Sequence, residues 1–433
     1  MDIFKSKPLK LASVAFYMVL MFMAFCSDSY RLPVAVRYAV NVVVFGCACA
    51  AFLIRPDFNM AKFCVRFFML FSAPYLVFWL WSVGIWISEF QSFTYIMRGS
   101  LNVFYMFTNL LLASSAMYLF NKKAIFYTAV SMAMTNTLIF LQVGARFGFP
   151  RLIAEYLRLL VTFADDTGGA VRQMEIHGLV FGWGVFIIYY LMNKSKNEKK
   201  DWIMLCISAF YFTIALKRIA VPAVLGAAML YHIMTKCKLH HLRMISSIMA
   251  VVIGVGAFSY LAIIKSGLFF EIAEKYEIDL MYRDVLYDYY RNYYELSPTF
   301  LGNGIRFIYA HGNFDPTYTL GTDAVHNVYL EFYVEVGFWC WWFWIFYELA
   351  FRVHRIAERY SIEPAVATIC LNIYVFFTYL TDNTSFYYCI NILYRMVIMV
   401  FCYENMIKEG ICDSEGMSIE QLDFARKQKK WGI

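Results

Sequence analysis

The sequence predicts an all-α polytopic membrane protein with about twelve transmembrane helices and one large loop on the outer face. Three observations predict it. Apolar residues make up 61% of the 433 and charged ones only 16%, too few to coat a soluble core of this size. The apolar residues are gathered into runs close to the ~20 that cross a bilayer. Lysine-rich stretches recur at every second gap between those runs.

Lys5, Lys7 and Lys10 precede the first run, Leu11 to Cys26. It is too long for a signal-peptide core and lacks a small-residue cleavage site, so it reads as the first span. Further spans follow at 34–54, 63–87, 95–119, 124–144, 174–192, 202–216, 219–235, 244–264, 327–351, 364–381 and 386–404. The short seventh and eighth form either two spans or a hairpin. Residues 1–404 thus make a transmembrane domain and 405–433 a tail. The basic gaps are Arg55/Lys62/Arg66, Lys122/Lys123, Lys194/Lys196/Lys199/Lys200, Lys236/Lys238/Arg243 and Arg352/Arg355/Arg359. The positive-inside rule makes them cytoplasmic, with both termini and the tail lysines Lys427, Lys429 and Lys430 on the same side. The eleven cysteines include no Cys-x-x-Cys pair. They read as small apolar residues and argue against a disulfide framework or a zinc site. No metal, cofactor or nucleic acid is expected.

Lysine and arginine are equally frequent, nineteen each, yet the orientation separates them. Only Lys217, Lys265 and Lys275 fall outside the cytoplasmic segments. Twelve arginines do: Arg31, Arg37, Arg98, Arg146, Arg151, Arg158, Arg172, Arg218, Arg283, Arg291, Arg306 and Arg395. Arginine's planar fork binds phosphate bidentately, whereas lysine offers a point charge. Snorkelling at the interface accounts for Arg31, Arg37 and some others. The remainder suggests a surface for a phosphorylated lipid.

Two outer segments are long. In 145–173, the spacing of Leu152, Tyr156, Leu159 and Leu160 predicts an amphipathic helix lying on the membrane. Asp165-Asp166 before Gly168-Gly169 reads as a turn. The segment 266–326 is large enough to fold. There Arg283, Tyr287 and Arg291 recur at i, i+4 and i+8, which would set the two arginines about 12 Å apart on one helix face. Asp284 and Asp288 offer them salt-bridge partners. Tyr282, Tyr287, Tyr289, Tyr290, Tyr293 and Tyr294 read either as platforms for sugar rings or as an interfacial belt. "SPTFLGNG" then turns the chain back towards Asp323, His326 and Asn327.

Arg218 follows Lys217 at the outer end of the seventh and eighth spans. Asn327, Glu331 and Glu335 make a polar stripe along the tenth span, and Arg395 lies within the last. Charges at that depth pair across the bundle, so Arg395 is expected to meet Glu331 or Glu335.

His326-Asn327, nine residues and then Gly337 resembles the His-Asn-x9-Gly signature of the O-antigen ligase and Wzy-type polymerase superfamily. Arg218 at a span end, Arg283 opening the large loop and the "LGNG" turn ahead of the histidine are also similar. So is the Arg-x10-Gly spacing of Arg158 to Gly169 and of Arg291 to Gly302. Cys340 stands where the ligase form carries another glycine, which weakens a ligase more than a polymerase.

The resemblance implies a GT-C-like glycosyltransferase in the bacterial inner membrane, with 145–173 and 266–326 as periplasmic loops. Its substrate would be an undecaprenyl-pyrophosphate-linked oligosaccharide, polymerised without a metal, with a flippase and a chain-length regulator as partners. His326, Arg218 and Arg283 would be catalytic. Arg291, Arg158, Arg172, Arg306, Asn327 and Asp323 would bind substrate. The chemistry suits these residues: arginines stabilise a departing pyrophosphate, and histidine is a general base near neutral pH. An anchoring or orienting role for His326 stays open. An O-antigen ligase and a lipid-linked-oligosaccharide flippase are the alternatives, and the large loop argues against the flippase.

Overall fold

The structure, a computed structural model, describes residues 7–162, 169–174, 177–193, 199–214, 217–278, 280, 283–309, 325–408, 412–413 and 416–417. Asp165, Asp166, Gly168, Lys194, Lys196, Tyr282, Asp323 and the tail lysines lie outside them, as do the side chains of Leu159, Leu160 and Arg172. Apart from a two-residue antiparallel pairing near the C-terminal end, the described elements are helices.

The first five are α1 (Lys7–Asp28), α2 (Val34–Ile54), α3 (Phe58–Ser88), α4 (Phe93–Phe120) and α5 (Lys123–Phe147). Then come α6 (Phe149–Thr162), α7 (His177–Met192), α8 (Lys199–Ile214), α9 (Ala220–Met234), α10 (Leu239–Ser266) and α11 (Leu268–Lys275). The last are α12 (Arg283–Tyr290), α13 (Val328–Phe346), α14 (Arg352–Arg359), α15 (Ile362–Thr378) and α16 (Tyr388–Lys408). Each of the twelve apolar runs coincides with a helix. Among the described residues seven helices are long and apolar enough to cross a membrane: α1 to α5, α10 and α16. Shorter apolar helices are α7, α9 and α15. The amphipathic α6 also forms, with Leu152 buried and Phe149, Ile153 and Leu157 exposed.

α16 is the central helix. It packs against α4, α7 and α15, and nearly every residue from Cys389 to Met406 is buried. α3 pairs with α4, α1 with α5, α9 with α15 and α10 with α13. Long-range contacts tie the connections into this bundle: Lys217 before α9 reaches Asp382 between α15 and α16, Tyr156 of α6 reaches the Thr213 carbonyl of α8, and Ile305 N–H reaches Ser82 of α3.

α13 is broken at Gly337, whose φ of 71° and ψ of −175° suit glycine alone. A break in an apolar bundle strands backbone groups that hydrocarbon cannot satisfy. The turn from Leu301 to Gly304 satisfies them. The Asn303 and Gly304 N–H groups donate to the Val334 and Glu335 carbonyls at 3.1 and 2.7 Å, and Phe338 N–H donates to the Phe300 carbonyl at 2.9 Å. The Asn303 side-chain amide adds a second bond to Val334, at 2.9 Å. Trp81 and Ser82 pin the turn to α3 through Leu301 O and Ile305 N–H. Part of the 266–326 segment is therefore not a cap on the bundle but a wedge in it.

Four expectations are corrected by packing. Arg395 does not pair with Glu331 or Glu335: its guanidinium donates to the Asn391 carbonyl and side chain and to the Tyr75 hydroxyl. Glu335 instead accepts from Ile308 N–H in the wedge. Arg352 does not stand free at a helix end as the basic gap suggested: it is 1% exposed and forked onto Glu348 four residues earlier, which leaves its side of the membrane untouched. Arg37 does not simply snorkel; it bonds buried Asp28 at 2.9 Å and lies over the Tyr105 ring. α12 stops at Tyr290, so Arg283 and Arg291 do not share one continuous helix face.

Candidate functional site

His326 sits on the residue pair that leads into α13. The Asn327 side chain caps that helix by accepting from Leu330 N–H at 3.1 Å, and Val328 N–H donates to the Tyr379 carbonyl at 3.1 Å. Between these anchors His326 takes a φ of 53°, a left-handed conformation that costs a non-glycine residue about 1–2 kcal/mol. Strain of this kind is maintained where the surroundings dictate a side chain's direction. The direction here is towards Asp382.

His326 Nδ1 lies 3.7 Å from Asp382 Oδ1, and the imidazole is 33% exposed while the carboxylate is 3% exposed. That separation is longer than a hydrogen bond. Asp382 stands on the short connection between α15 and α16. Its other oxygen lies 3.4 Å from Lys217 Nζ, and its first accepts from the Tyr387 hydroxyl. A buried carboxylate needs such partners to remain charged. The same connection receives Arg283, whose Nη2 donates to the Thr381 carbonyl at 3.1 Å. One face is open at His326, and behind it stand a carboxylate, an ammonium, a guanidinium and a phenol.

Behind Arg283 lies Tyr287, 1% exposed, with Asn327 and the Tyr260 hydroxyl adjoining it. Burial pushes the Tyr287 phenol above its ordinary pKa, so it is a proton donor at neutral pH. Among the described residues no three His, Cys, Asp or Glu side chains gather at metal-ligating range.

Of the residues singled out in the sequence, His326, Asn327 and Arg283 come together here. Arg218 is exposed beside Lys217, and it is Lys217 whose ammonium reaches Asp382. Arg291 pairs with Asp288 at 2.7 Å and lies over Phe270. Arg306 donates to the Arg98 carbonyl at 3.2 Å and stacks 4.0 Å above Tyr309. Arg158 is exposed on α6. Neighbouring Glu155 bonds Arg151 and accepts from Ala170 N–H, which together hold its carboxyl below the usual range. The side chain of Arg172 and all of Asp323 lie outside the described residues. Asp382, Tyr387 and the role of Lys217 were missed. "TDNTS" (381–385) was the available signal: a polar interruption between two apolar runs, carrying one carboxylate. Compared with known protein families, curated proteins and solved structures, the chain matches none.

Proposed function

We propose that the chain is a membrane-embedded glycosyltransferase of the Wzy-type polymerase class, joining undecaprenyl-pyrophosphate-linked repeat units at the outer face of a bacterial inner membrane. It would have twelve spans of GT-C-like arrangement and both termini in the cytoplasm. The observation that carries this reading is the half-open His326 imidazole with Nδ1 facing buried Asp382. With Nδ1 so directed, Nε2 is the nitrogen left for substrate.

In the reaction, the acceptor sugar hydroxyl gives its proton to Nε2 and its oxygen bonds the donor's anomeric carbon. The bond from that carbon to the pyrophosphate oxygen breaks, and the electron pair leaves on the lipid pyrophosphate. Asp382 offsets the imidazolium that forms, as a carboxylate does beside a general base. Arg283 and Lys217 offset the charge on the leaving group.

The test is purified protein in nanodiscs with a defined lipid-linked repeat unit. The wild type should give a ladder of chain lengths, and His326→Ala should leave the repeat unit largely unextended, with the rate of chain extension lower by about 10²–10⁴-fold. A ladder of normal length and abundance from His326→Ala would remove the general-base role. Transfer only onto an added lipid A core acceptor would replace the polymerase by a ligase.

A further inference from the structure

Six residues other than glycine hold a positive φ among the described residues: Tyr30, Phe90, Asn121, Glu277, Arg306 and His326. Four of them close a helix: Tyr30 follows α1, Phe90 follows α3, Asn121 follows α4 and Glu277 follows α11. A left-handed residue is ordinary there. The other two lead into helical segments instead, His326 at 53° and Arg306 at 74°. Strain in such a place marks a side chain whose direction matters. The proposed reaction uses His326 alone.

Arg306 is fixed from beneath. Its backbone N–H and that of Ile308 bond the buried Glu335 carboxylate. Its guanidinium donates to the Arg98 carbonyl at 3.2 Å and lies 4.0 Å above the Tyr309 ring. Arg37, in the first turn of α2, is held in the same way by Asp28, whose side chain is 7% exposed against 19% for Arg37. Tyr38 stands within the field of both arginines and edge-on to Tyr105, and Tyr30 adjoins Arg37. Tyr30, Tyr38, Arg98 and Tyr309 are exposed. The exposed carboxylate in this neighbourhood, Glu89 near Tyr95, accepts from Gln91. The start of α2, the start of α4 and the wedge thus build a shelf of guanidinium and phenol groups over buried carboxylates. Tyr30 and Asp28 also lie near Tyr387, whose hydroxyl holds Asp382. The shelf therefore borders the candidate site through residues other than Lys217 and Arg283.

We propose that Arg37 and Arg306 hold on this shelf the pyrophosphate of the second lipid-linked unit, the acceptor. The inference rests on the proposed function. Joining two lipid-linked units requires two pyrophosphates at the membrane surface at once, one leaving with the donor's lipid and one staying on the acceptor. Arg283 and Lys217, close to His326, serve the departing one. The acceptor reacts through a sugar hydroxyl while its own pyrophosphate lies at the other end of the repeat unit. Its anchor therefore belongs away from His326, as Arg37 and Arg306 are. Arginine forks suit phosphate oxygens, and Tyr30, between Arg37 and Tyr387, offers a ring with a polar tip to the intervening sugars.

The test counts bound lipids. Full-length protein in phosphatidylcholine nanodiscs is titrated with polyprenyl pyrophosphate, and native mass spectrometry reads the number of molecules held. Wild type should hold two. Arg306→Gln should weaken one of the two about tenfold, as expected for a lost hydrogen bond to a charged group, and leave the other. Arg37→Lys keeps a charge for Asp28 but loses the fork, and should weaken the same molecule. Arg283→Lys should weaken the other one, and Arg151→Gln on α6 should leave both. A single molecule on wild type overturns the shelf, as does undiminished binding of both by Arg306→Gln. Displacement of the Arg306-dependent molecule by an equal concentration of phosphatidylglycerol also overturns it, since the shelf would then take any anionic lipid. If the chain extends no lipid-linked repeat unit yet holds two polyprenyl pyrophosphates, one of them through Arg306, the polymerase reading falls and the shelf stands.

Discussion

Gly337→Ala perturbs the point where α13 breaks and the wedge enters. The new Cβ would lie 2.2 Å from the Leu301 carbonyl carbon and 2.5 Å from Gly302 N, both backbone atoms that no rotamer change can move. Holding a non-glycine residue at this φ and ψ costs about 1–3 kcal/mol. Forcing the backbones apart adds about 1–3 kcal/mol of overpacking. The bonds from Asn303, Gly304 and Phe338 across the break are also put at risk. The cost is therefore at least about 2 kcal/mol, which at 1.36 kcal/mol per decade raises the open population of this region about thirtyfold or more. Cys340, three residues beyond the break and 5% exposed, reports it. Its labelling by a membrane-permeant thiol reagent, read by peptide mass spectrometry, should accelerate by that factor. Gly226→Ala, whose Cβ meets nothing within 4 Å, should leave Cys340 as protected as before. Labelling of Cys340 in Gly337→Ala within threefold of wild type would refute the wedge.

Asp382→Asn removes a charge 3.7 Å from His326 Nδ1. Against the imidazolium formed in the proposed reaction, at an effective dielectric constant near 20, that charge is worth about 4 kcal/mol, and exposure of the ring screens much of it. The expected loss in kcat/KM is about ten- to a hundredfold, and an unaltered value would detach Asp382 from His326. Arg283→Lys should cost about tenfold in polymer formation, since a lysine cannot hold the Thr381 carbonyl and a phosphate oxygen together. Arg291→Lys, whose partner Asp288 accepts a lysine equally well, should polymerise normally; equal tolerance at both positions, at matched membrane levels, would remove the phosphate role from Arg283. The Glu155 contact to Ala170 N–H depends on a carboxylate held below its ordinary pKa. It should persist at neutral pH and be lost only as pH falls below the ordinary glutamate value of about 4.3, and faster amide exchange at Ala170 already at pH 6 would contradict it.

The helices were legible because their cause is local. A span must be apolar for ~20 residues whatever it packs against, so the twelve runs could be read without knowing a neighbour. The amphipathic α6 was legible for the same reason, since its spacing is set by the helix period. The charged partners were not. Arg395 and Glu335 both needed partners at depth, and the expectation that they would find each other followed from charge alone. The structure gives Arg395 uncharged acceptors on its own helix and on α3, and gives Glu335 a backbone N–H from the wedge. Hydrogen-bond geometry decided between partners that sequence spacing left equivalent.

The same distinction explains the candidate site. His326 and Asn327 stood out because they carry the motif, and Arg283 because it opens a conspicuous loop. Asp382 carries no motif, and its connection between α15 and α16 is too short to suggest a folded element. Its burial follows from contacts with residues that come from three other parts of the chain: Lys217 before α9, Arg283 at the start of α12 through Thr381, and His326 before α13. Those contacts require the connections to meet at one end of the bundle, and the wedge at Gly337 holds residues 300–308 of the large loop against α13. The glycine of the His-Asn-x9-Gly spacing therefore has a physical role apart from chemistry. It admits the backbone of Leu301 and Gly302 where any side chain would exclude it, and so ties the large loop into the helix whose N-terminus carries the histidine.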